Sequence, residues 1–403
     1  MTLSVLGSLI IAAIILYLSE KKLRNHNFKK INFAFCAVCV FIAAFILRLY
    51  AGYNLSGFES DIITFKSWGR IVNEVGFAKF YKQDIFIDYP PGYLYVLNLC
   101  EKIRLAFGID EASNLYTLII KLPSIFGDIF CAAVILWLGR RRLSEKESIF
   151  LSAAYLFCPV VIINSSVWGQ ADSFCTAILL ISVVLFVKNK NILAAVIYGI
   201  AILCKPQMLV FVPMYIFILI KRKNFRDLIL CPLLAIATIL LLATPFTVKF
   251  DYVWLIKKYW TTMNGYNHYS VNAYNFWALI GKNWTEMDKS VPSTLANLTG
   301  PIIATAMCGF LVFKAGARKA AYLSPAVLMT AVFMFTVKMH ERYIFPAFIF
   351  ILISYIYIKD KRLLKSYAFM TFTNMLNVKY VLYLNQTVGA NYDPNEFLIR
   401  ILS

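Results

Sequence analysis

The chain has 403 residues, of which 60% are hydrophobic and only 15% are charged, and its formal net charge is +19. A soluble protein of this length cannot bury so much apolar surface, so the composition excludes the soluble globular class. The basic residues form short runs between apolar segments, a pattern typical of membrane helices and not of nucleic-acid binding.

Apolar runs of about 15 to 24 residues recur along the whole chain, and each is long enough to cross a bilayer as a helix. They predict one membrane domain, residues 1–403, with an all-α polytopic fold of about twelve transmembrane helices. The first run, residues 3–18, has no basic region before it and no small-residue cleavage site, so we predict a retained helix. The nine cysteines contain no CxxC pair and are expected to be small buried hydrophobes.

Charge placement predicts the topology. Six basic connectors can all lie on one face, which the positive-inside rule makes cytoplasmic. They are residues 21–30, 140–146, 188–190, 221–226, 314–319 and 359–365. The opposite, exofacial side then receives residues 52–88, 167–172, 205–207, 247–293, 340–343 and the tail after Gln386.

Residues 90–107 do not fit a simple span, because Glu101, Lys102 and Arg104 fall in their second half. If this segment crossed the membrane, the arginine run that begins at Arg140 would move to the outer face. We therefore predict an interfacial or re-entrant helix that packs on protein.

The first exofacial loop contains close to forty residues, longer than a passive connector requires. Glu59 and Asp61 stand at its start, and Asp88-Tyr89-Pro90-Pro91 closes it. The double proline fixes the backbone and begins the next helix, so such a loop can hold a carboxylate rigidly. A solvated acidic loop is the alternative interpretation.

The turn Val167–Asp172 precedes a very apolar helix over residues 173–187. Trp168 is typical of an interfacial anchor, and Gly169 permits a tight turn. Gln170 is a candidate site residue. Asp172 could be the N-cap of the helix or a functional carboxylate, and the sequence leaves both interpretations open.

Lys205-Pro206-Gln207 interrupts an apolar stretch of some thirty residues. A lysine at this depth is costly unless it snorkels or meets an anion. Because this segment is predicted on the outer face, the positive-inside rule does not explain the lysine. An anionic ligand is therefore our hypothesis for Lys205, with Gln207 beside it.

His340-Glu341-Arg342 is a second polar cluster between two apolar helices, next to Lys338. An arginine fork with a histidine suits a phosphate group. A metal site is disfavoured, because the chain has three histidines and no HxxH or HExxH motif.

Residues 247–293 form a long loop rich in aromatic side chains. These residues could form an interfacial belt, stack on sugar faces or grip an isoprenoid tail, and the sequence does not choose. They are Tyr252, Trp254, Tyr259, Trp260, Tyr266, Tyr269, Tyr274, Phe276 and Trp277.

The order of these motifs resembles the pattern of the GT-C superfamily of glycosyltransferases. The motifs are an early Asp in loop one, DYPP, WGQxD, KPQ and HER. The set is similar to bacterial and archaeal mannosyltransferase-like membrane proteins related to the second GPI mannosyltransferase. It is also similar to the dolichyl-phosphate-glucose-dependent glucosyltransferases. The resemblance covers roughly residues 52–346.

This resemblance implies a many-helix fold, an active site on the outer leaflet side, polyprenyl-phosphate sugar donors and inversion at the anomeric carbon. Asp61 matches the catalytic base of the family. The residues that match its other motifs are Asp88, Tyr89, Gln170, Lys205, Gln207, His340, Glu341 and Arg342. The turn VWGQAD departs from the GHFQYN form, so the resemblance does not specify the sugar. Asp172 is expected, with Glu59 and the other matched residues, to support substrate binding.

The sequence thus predicts inverting transfer of a hexose, mannose or glucose, from a polyprenyl-phosphate donor to a hydroxyl of a lipid-linked or cell-envelope acceptor. Asp61 is the expected base with Glu59 in reserve, and Lys205, His340 and Arg342 are expected to hold the donor phosphate. No cofactor is expected, although a divalent cation stays open. The expected location is a bacterial plasma membrane. A lipid-linked sugar flippase or transporter, and a polysaccharide polymerase or ligase, are the alternatives.

Overall fold

The computed structural model describes residues 33–288, 290–387, 393 and 397–403. Helices make up 77% of it and strands almost none, so the predicted all-α polytopic class is confirmed. The predicted helix at residues 3–18, the connector at residues 21–30 and residues 388–392 and 394–396 of the tail lie outside the described residues.

From Phe33 to Cys204, the structure describes nine α-helices. They are α1 Phe33–Asn54, α2 Glu59–Val75, α3 Phe77–Phe80, α4 Pro91–Ala106, α5 Asn114–Gly139, α6 Glu145–Leu156, α7 Pro159–Ile162, α8 Asp172–Val187 and α9 Asn191–Cys204. A π-helix, Ile163–Trp168, joins α7 to the turn before α8.

The described residues after Cys204 contain nine more α-helices and two very short strands. They are α10 Val212–Lys221, α11 Phe225–Ala243, α12 Val253–Asn264, β1 Ser270–Val271, α13 Phe276–Leu279, α14 Val291–Lys314, α15 Ala317–Phe335, β2 Met339–His340, α16 Phe345–Ile358, α17 Lys361–Thr387 and α18 Phe397–Leu402. Single 3-10 turns, Pro206–Phe211 and Thr244–Phe246, precede α10 and follow α11.

Within the described residues, four helical segments have the length and apolar character needed to cross a membrane. They are α1, α5, α14 and Phe225–Phe246, and the bent pair of α6 with residues 159–168 makes a fifth if it is one span. Several other apolar helices are shorter, among them α8, α9 and α16. The count of about twelve spans stays a prediction, since it includes segments that the structure does not describe.

The basic connectors that the structure describes lie at one end of the bundle. The guanidinium of Arg141 and the ammonium of Lys188 both lie over the Trp137 ring, at 4.4 and 4.5 Å. Lys221 donates to the Val312 carbonyl at 2.6 Å, near the end of α14. The 16-residue helix α8 begins at Asp172 and ends beside Lys188, so Asp172 lies about 24 Å from this basic end.

Loop one folds as helices that pack on protein. Helix α4 lies against α2 and against the end of α9. Gly92 at the start of α4 is required there, because an added Cβ would meet the Leu203 and Cys204 backbone at 2.6 Å. This close approach brings the DYPP segment next to Lys205.

The charged half of α4 is neutralised within the protein. Buried Glu101 accepts two hydrogen bonds from Arg104, at 2.8 and 2.7 Å, and one from the Tyr116 hydroxyl at 2.6 Å. A carboxylate with these partners can be buried without an uncompensated charge. This network explains how α4 packs on protein despite Glu101, as the sequence predicted.

The long loop is tied to the HER turn by a parallel ladder. Ser270 pairs with Met339 and Val271 with His340. On the far side, the Asn377 side chain of α17 donates to the Asn272 carbonyl at 2.8 Å. The backbone at His340 is therefore fixed by loop residues that lie about seventy positions earlier.

Candidate active site

Asp61 lies in the first turn of α2 and is held by the turn before α8. Its Oδ2 accepts hydrogen bonds from Trp168 Nε1 at 2.8 Å and from Gln170 Nε2 at 2.5 Å. The turn that presents both donors depends on Gly169, whose φ of 82° is in the left-handed region. The tight turn predicted at Gly169 is confirmed.

The prediction that Trp168 is an interfacial anchor is wrong. Its side chain is only 1% exposed, and its ring stacks on Phe58 with centroids 5.2 Å apart. The indole N–H is used on Asp61, which is how a buried tryptophan satisfies its single donor. Trp168 is therefore a residue of the candidate site, a role that the sequence analysis did not assign to it.

Asp172 and Lys205 form a buried ion pair between the start of α8 and the end of α9. Asn164 of the π-helix donates to the other carboxylate oxygen at 3.1 Å. The N-cap interpretation of Asp172 is wrong, because α8 begins at Asp172 itself and has no side-chain cap. Lys205 does not snorkel; it meets a protein anion.

Arg342 lies beside Trp168, whose indole N–H donates to Asp61. Its Nη1 donates to Glu341 at 2.7 Å, and its guanidinium lies 5.3 Å from the centre of the Trp168 ring. Asp61 and Arg342 thus contact opposite features of one indole, its N–H and its face. Burial and the neighbouring Arg342 act in opposite directions on Glu341, and burial prevails, so the pKa of Glu341 is raised.

His340 is buried and does not act as a cation at neutral pH. Burial first, and then the charges of Arg342 and Lys205, lower its pKa well below the ordinary value. Its ring centroid lies 4.7 Å from that of Tyr266 and 4.9 Å from that of Tyr343. The sequence counted His340 among three positive groups; the structure provides two cations and a neutral imidazole.

This neutral state has a consequence for acid stability. Below pH 6.5 the unfolded chain protonates His340 while the folded chain does not, so His340 costs roughly 1.4 kcal/mol of folding free energy for each pH unit of acidification. We expect His340→Asn to reduce the loss of thermal stability between pH 6.5 and pH 5. Scanning calorimetry of both proteins in detergent measures the two slopes, and equal slopes would contradict a neutral His340.

Asp88 lies half-buried at the end of loop one, beside Tyr89. Burial raises the pKa of Asp88; the charge of Asp61 adds to this effect, whereas Arg342 and Lys205 oppose it. The Tyr89 ring lies 5.8 Å from Lys205 Nζ. The DYPP residues thus join the cluster formed by the turn, KPQ and HER.

Two predicted site residues stand apart from these contacts. Glu59 is exposed and lines a separate surface pocket with Ser56 and Lys66. Gln207 is half-buried in the 3-10 turn after Lys205, and its side-chain oxygen has no hydrogen-bond partner. Neither shares a hydrogen bond with Asp61.

Sequence reasoning missed three further contributors. Tyr343 lies with its ring 5.5 Å from Lys205 Nζ. Tyr266 meets His340, and Lys258 of α12 donates to the Ile87 carbonyl at 2.7 Å. The long loop was recognised only as aromatic-rich, and no spacing in it indicated which residues face loop one.

Among the described residues, no group of three or more His, Cys, Asp or Glu side chains is arranged to hold a metal ion. The positive charge of the site comes from the side chains of Lys205 and Arg342, each of which pairs with a carboxylate. Cofactor independence stays a prediction.

Residues 170–288 match the family model described as ALG3 protein. The chain is also similar to two curated proteins, each named dolichyl pyrophosphate Glc1Man9GlcNAc2 alpha-1,3-glucosyltransferase. The Schizosaccharomyces pombe relative is 25% identical over 255 residues, covering 57% of this chain and 50% of the relative. The Saccharomyces cerevisiae relative is 24% identical over 275 residues, covering 60% of this chain and 46% of the relative.

The chain spans about half the length of the curated relatives it matches. The family model covers Gln170, Asp172, Lys205 and Gln207 but begins after Asp61 and ends before His340. These likenesses agree with the multi-pass helical fold. The resemblance of this membrane protein to the GT-C superfamily of glycosyltransferases is thereby confirmed.

Proposed function

We propose that this protein transfers a hexose from a polyprenyl-phosphate donor to a hydroxyl group of a lipid-linked acceptor, with inversion. The observation that carries the proposal is the meeting of Asp61 with Arg342 on one buried indole, beside the Asp172–Lys205 pair. This arrangement puts a carboxylate base next to a cationic cluster, which are the two components that the reaction needs.

Asp61 is the proposed base. An acceptor hydroxyl has a pKa far above neutrality, so a carboxylate must take its proton as the new C–O bond forms. Both donors to Asp61 bond to Oδ2, which leaves Oδ1 to receive that proton. The hydrogen bonds from Trp168 and Gln170 also fix the carboxylate, so its orientation does not depend on the substrate.

The leaving group is a phosphate, which departs without a general acid but requires positive charge. Arg342 and Lys205 are the proposed phosphate ligands. Their pairing with Glu341 and Asp172 holds both cations in place before the donor arrives. Neutral His340, whose Nε2 has no protein partner, is suited to donate a hydrogen bond to a phosphate oxygen.

An apolar cavity of about 520 Å³ supports a donor with a lipid tail. It lies between α15, α16 and α17 and is lined by Phe333, Ile344, Ile351, Met370 and Asn374. Asn374 also donates to the Glu341 carbonyl at 2.7 Å, which links the cavity to the HER turn. This cavity is the proposed binding place of the lipid tail.

We propose that the site faces the outside of the membrane. Its position at the opposite end of α8 from the basic connectors supports this orientation. We propose a location in a plasma membrane of bacterial type. The names of the relatives support glucose as one donor sugar, and the mannosyltransferase-like motif order supports mannose as the other.

Purified protein in detergent tests this function directly. It is incubated with polyprenyl-phosphate mannose or glucose and with a lipid-linked oligosaccharide, and sugar transfer is followed by mass spectrometry. Transfer without any membrane to cross is expected and would exclude a flippase. Absence of transfer from both donors, together with donor translocation in proteoliposomes, would favour the transporter instead.

Arg342→Ala is expected to weaken binding of the polyprenyl-phosphate donor. Removing the guanidinium deprives the phosphate of a charge-assisted partner, which is typically worth about 1.5–3 kcal/mol. We therefore expect roughly a 10- to 100-fold rise in the donor Kd, measured by titration of a fluorescent polyprenyl-phosphate sugar. Lys379→Ala, on α17, is the control, and an unchanged Kd in Arg342→Ala would remove Arg342 from the phosphate site.

A further inference from the structure

The backbone around Asp88 is held by side chains and not by secondary structure. Residues 86–89 belong to no helix or strand. Trp68 Nε1 donates to the Phe86 carbonyl at 2.9 Å, Lys258 Nζ to the Ile87 carbonyl at 2.7 Å, and the Tyr81 hydroxyl to the Tyr89 carbonyl at 2.9 Å. The two carbonyls on either side of Asp88 are therefore fixed by Lys258 and Tyr81.

Lys258 differs from the other two donors because it comes from outside loop one. Trp68 lies on α2 and Tyr81 follows α3, whereas Lys258 lies on α12 of the long loop. Its ammonium lies 5.6 Å from the centre of the Tyr81 ring, and the Tyr81 ring lies 4.5 Å from that of Trp254, also on α12. Helix α12 thus contacts loop one through two side chains, Lys258 at the Ile87 carbonyl and Trp254 at the Tyr81 ring.

The half-buried lysine is not explained as a solvated surface charge. Burial lowers the pKa of Lys258, and the charge of Asp88 acts in the opposite direction. A methionine or leucine at this position would avoid the desolvation cost. The ammonium instead makes a strong hydrogen bond to the peptide that carries Asp88.

We propose that Lys258 is a positioning residue that, with Tyr81, fixes the direction of the Asp88 carboxylate toward Arg342 and Lys205. The inference rests on the proposed function, since it assigns to α12 the task of completing that site. It gives the long loop a role beyond an aromatic belt: the loop holds the peptide that precedes the loop-one carboxylate. Lys258 itself touches neither the reacting hydroxyl nor the phosphate.

The test compares Lys258→Met with Lys258→Arg, Tyr81→Phe and the neighbouring exposed Lys257→Met. Misplacement of a site group by about 1 Å costs on the order of 100-fold in rate, so Lys258→Met is expected to lower kcat by about 10- to 100-fold. Its donor KM should stay within about twofold, because the phosphate ligands are untouched. Lys258→Arg keeps a charged donor and should recover most of the lost rate.

Amide hydrogen exchange of a peptide covering residues 86–92 is the second readout and requires no turnover. Faster exchange in Lys258→Met and Tyr81→Phe than in Lys257→Met supports the inference even if the wild type transfers no sugar, in which case only the proposed function fails. Equal exchange and equal kcat in Lys258→Met and Lys257→Met overturn it. An equal loss of kcat in Lys258→Met and Lys258→Arg also overturns the inference, since altered packing alone would then account for both losses. If Lys258→Met does not fold, Tyr81→Phe decides by the same two measurements.

Discussion

Asp61→Asn is expected to lower kcat for sugar transfer by about 10²- to 10⁴-fold while leaving donor binding and thermal stability close to wild type. The amide matches the carboxylate in size and can still accept from Trp168 and Gln170, so the hydrogen-bonded turn survives. It cannot take the proton of the acceptor hydroxyl. A fall in kcat with unchanged donor Kd therefore isolates the loss of the base.

Glu59→Gln is the matched comparison for this experiment. Glu59 belongs to the same helical turn as Asp61, but it is exposed and lines a different pocket. We expect near wild-type turnover from Glu59→Gln. Retained turnover in Asp61→Asn together with a large loss in Glu59→Gln would move the base assignment to Glu59; retained turnover in both would refute carboxylate catalysis from this turn.

Lys205→Met is expected to destabilise the protein by about 3–5 kcal/mol, because it leaves the Asp172 carboxylate buried without its cation. The measurement is a thermal unfolding curve in detergent, with Lys190→Met, at an exposed connector position, as the control. A melting temperature equal to that of the control would show that the ion pair contributes nothing. Sugar transfer by the folded fraction should also fall, since a proposed phosphate ligand is lost.

The double variant Lys205→Met/Asp172→Asn separates these two effects. Removing both charges relieves the uncompensated carboxylate, so most of the lost stability should return. Activity should not return, because the phosphate still lacks its lysine. Recovery of both stability and turnover would reduce Lys205 to a structural role and would leave Arg342 as the remaining cation of the site.

The two donors to Asp61 illustrate how far a motif can be interpreted. WGQxD indicated Gln170 as a site residue, and the structure brings it to Asp61. Trp168, two positions earlier, was assigned to the interface because tryptophan is common there. Only its burial against Phe58 and its N–H bond to Asp61 show that it shapes the site, and neither can be inferred from spacing.

The amino-acid sequence by itself determined the helical membrane class, the packing of α4 on protein and the set of polar segments from which the site is built. These follow from local quantities: the length of apolar runs, the placement of lysine and arginine, and the motif order. Which ions pair was decided by the tertiary structure. Lys205 finds Asp172, thirty-three positions earlier, because α8 and α9 pack side by side.

The protonation state of His340 and the role of Lys258 were also decided only by the fold. A histidine in sequence has an ordinary pKa; burial and two cations together lower the pKa of His340 well below that value. Lys258 reaches the peptide before Asp88 across 171 positions of chain. Such long-range contacts depend on how helices pack, and a local pattern of residues does not predict that packing.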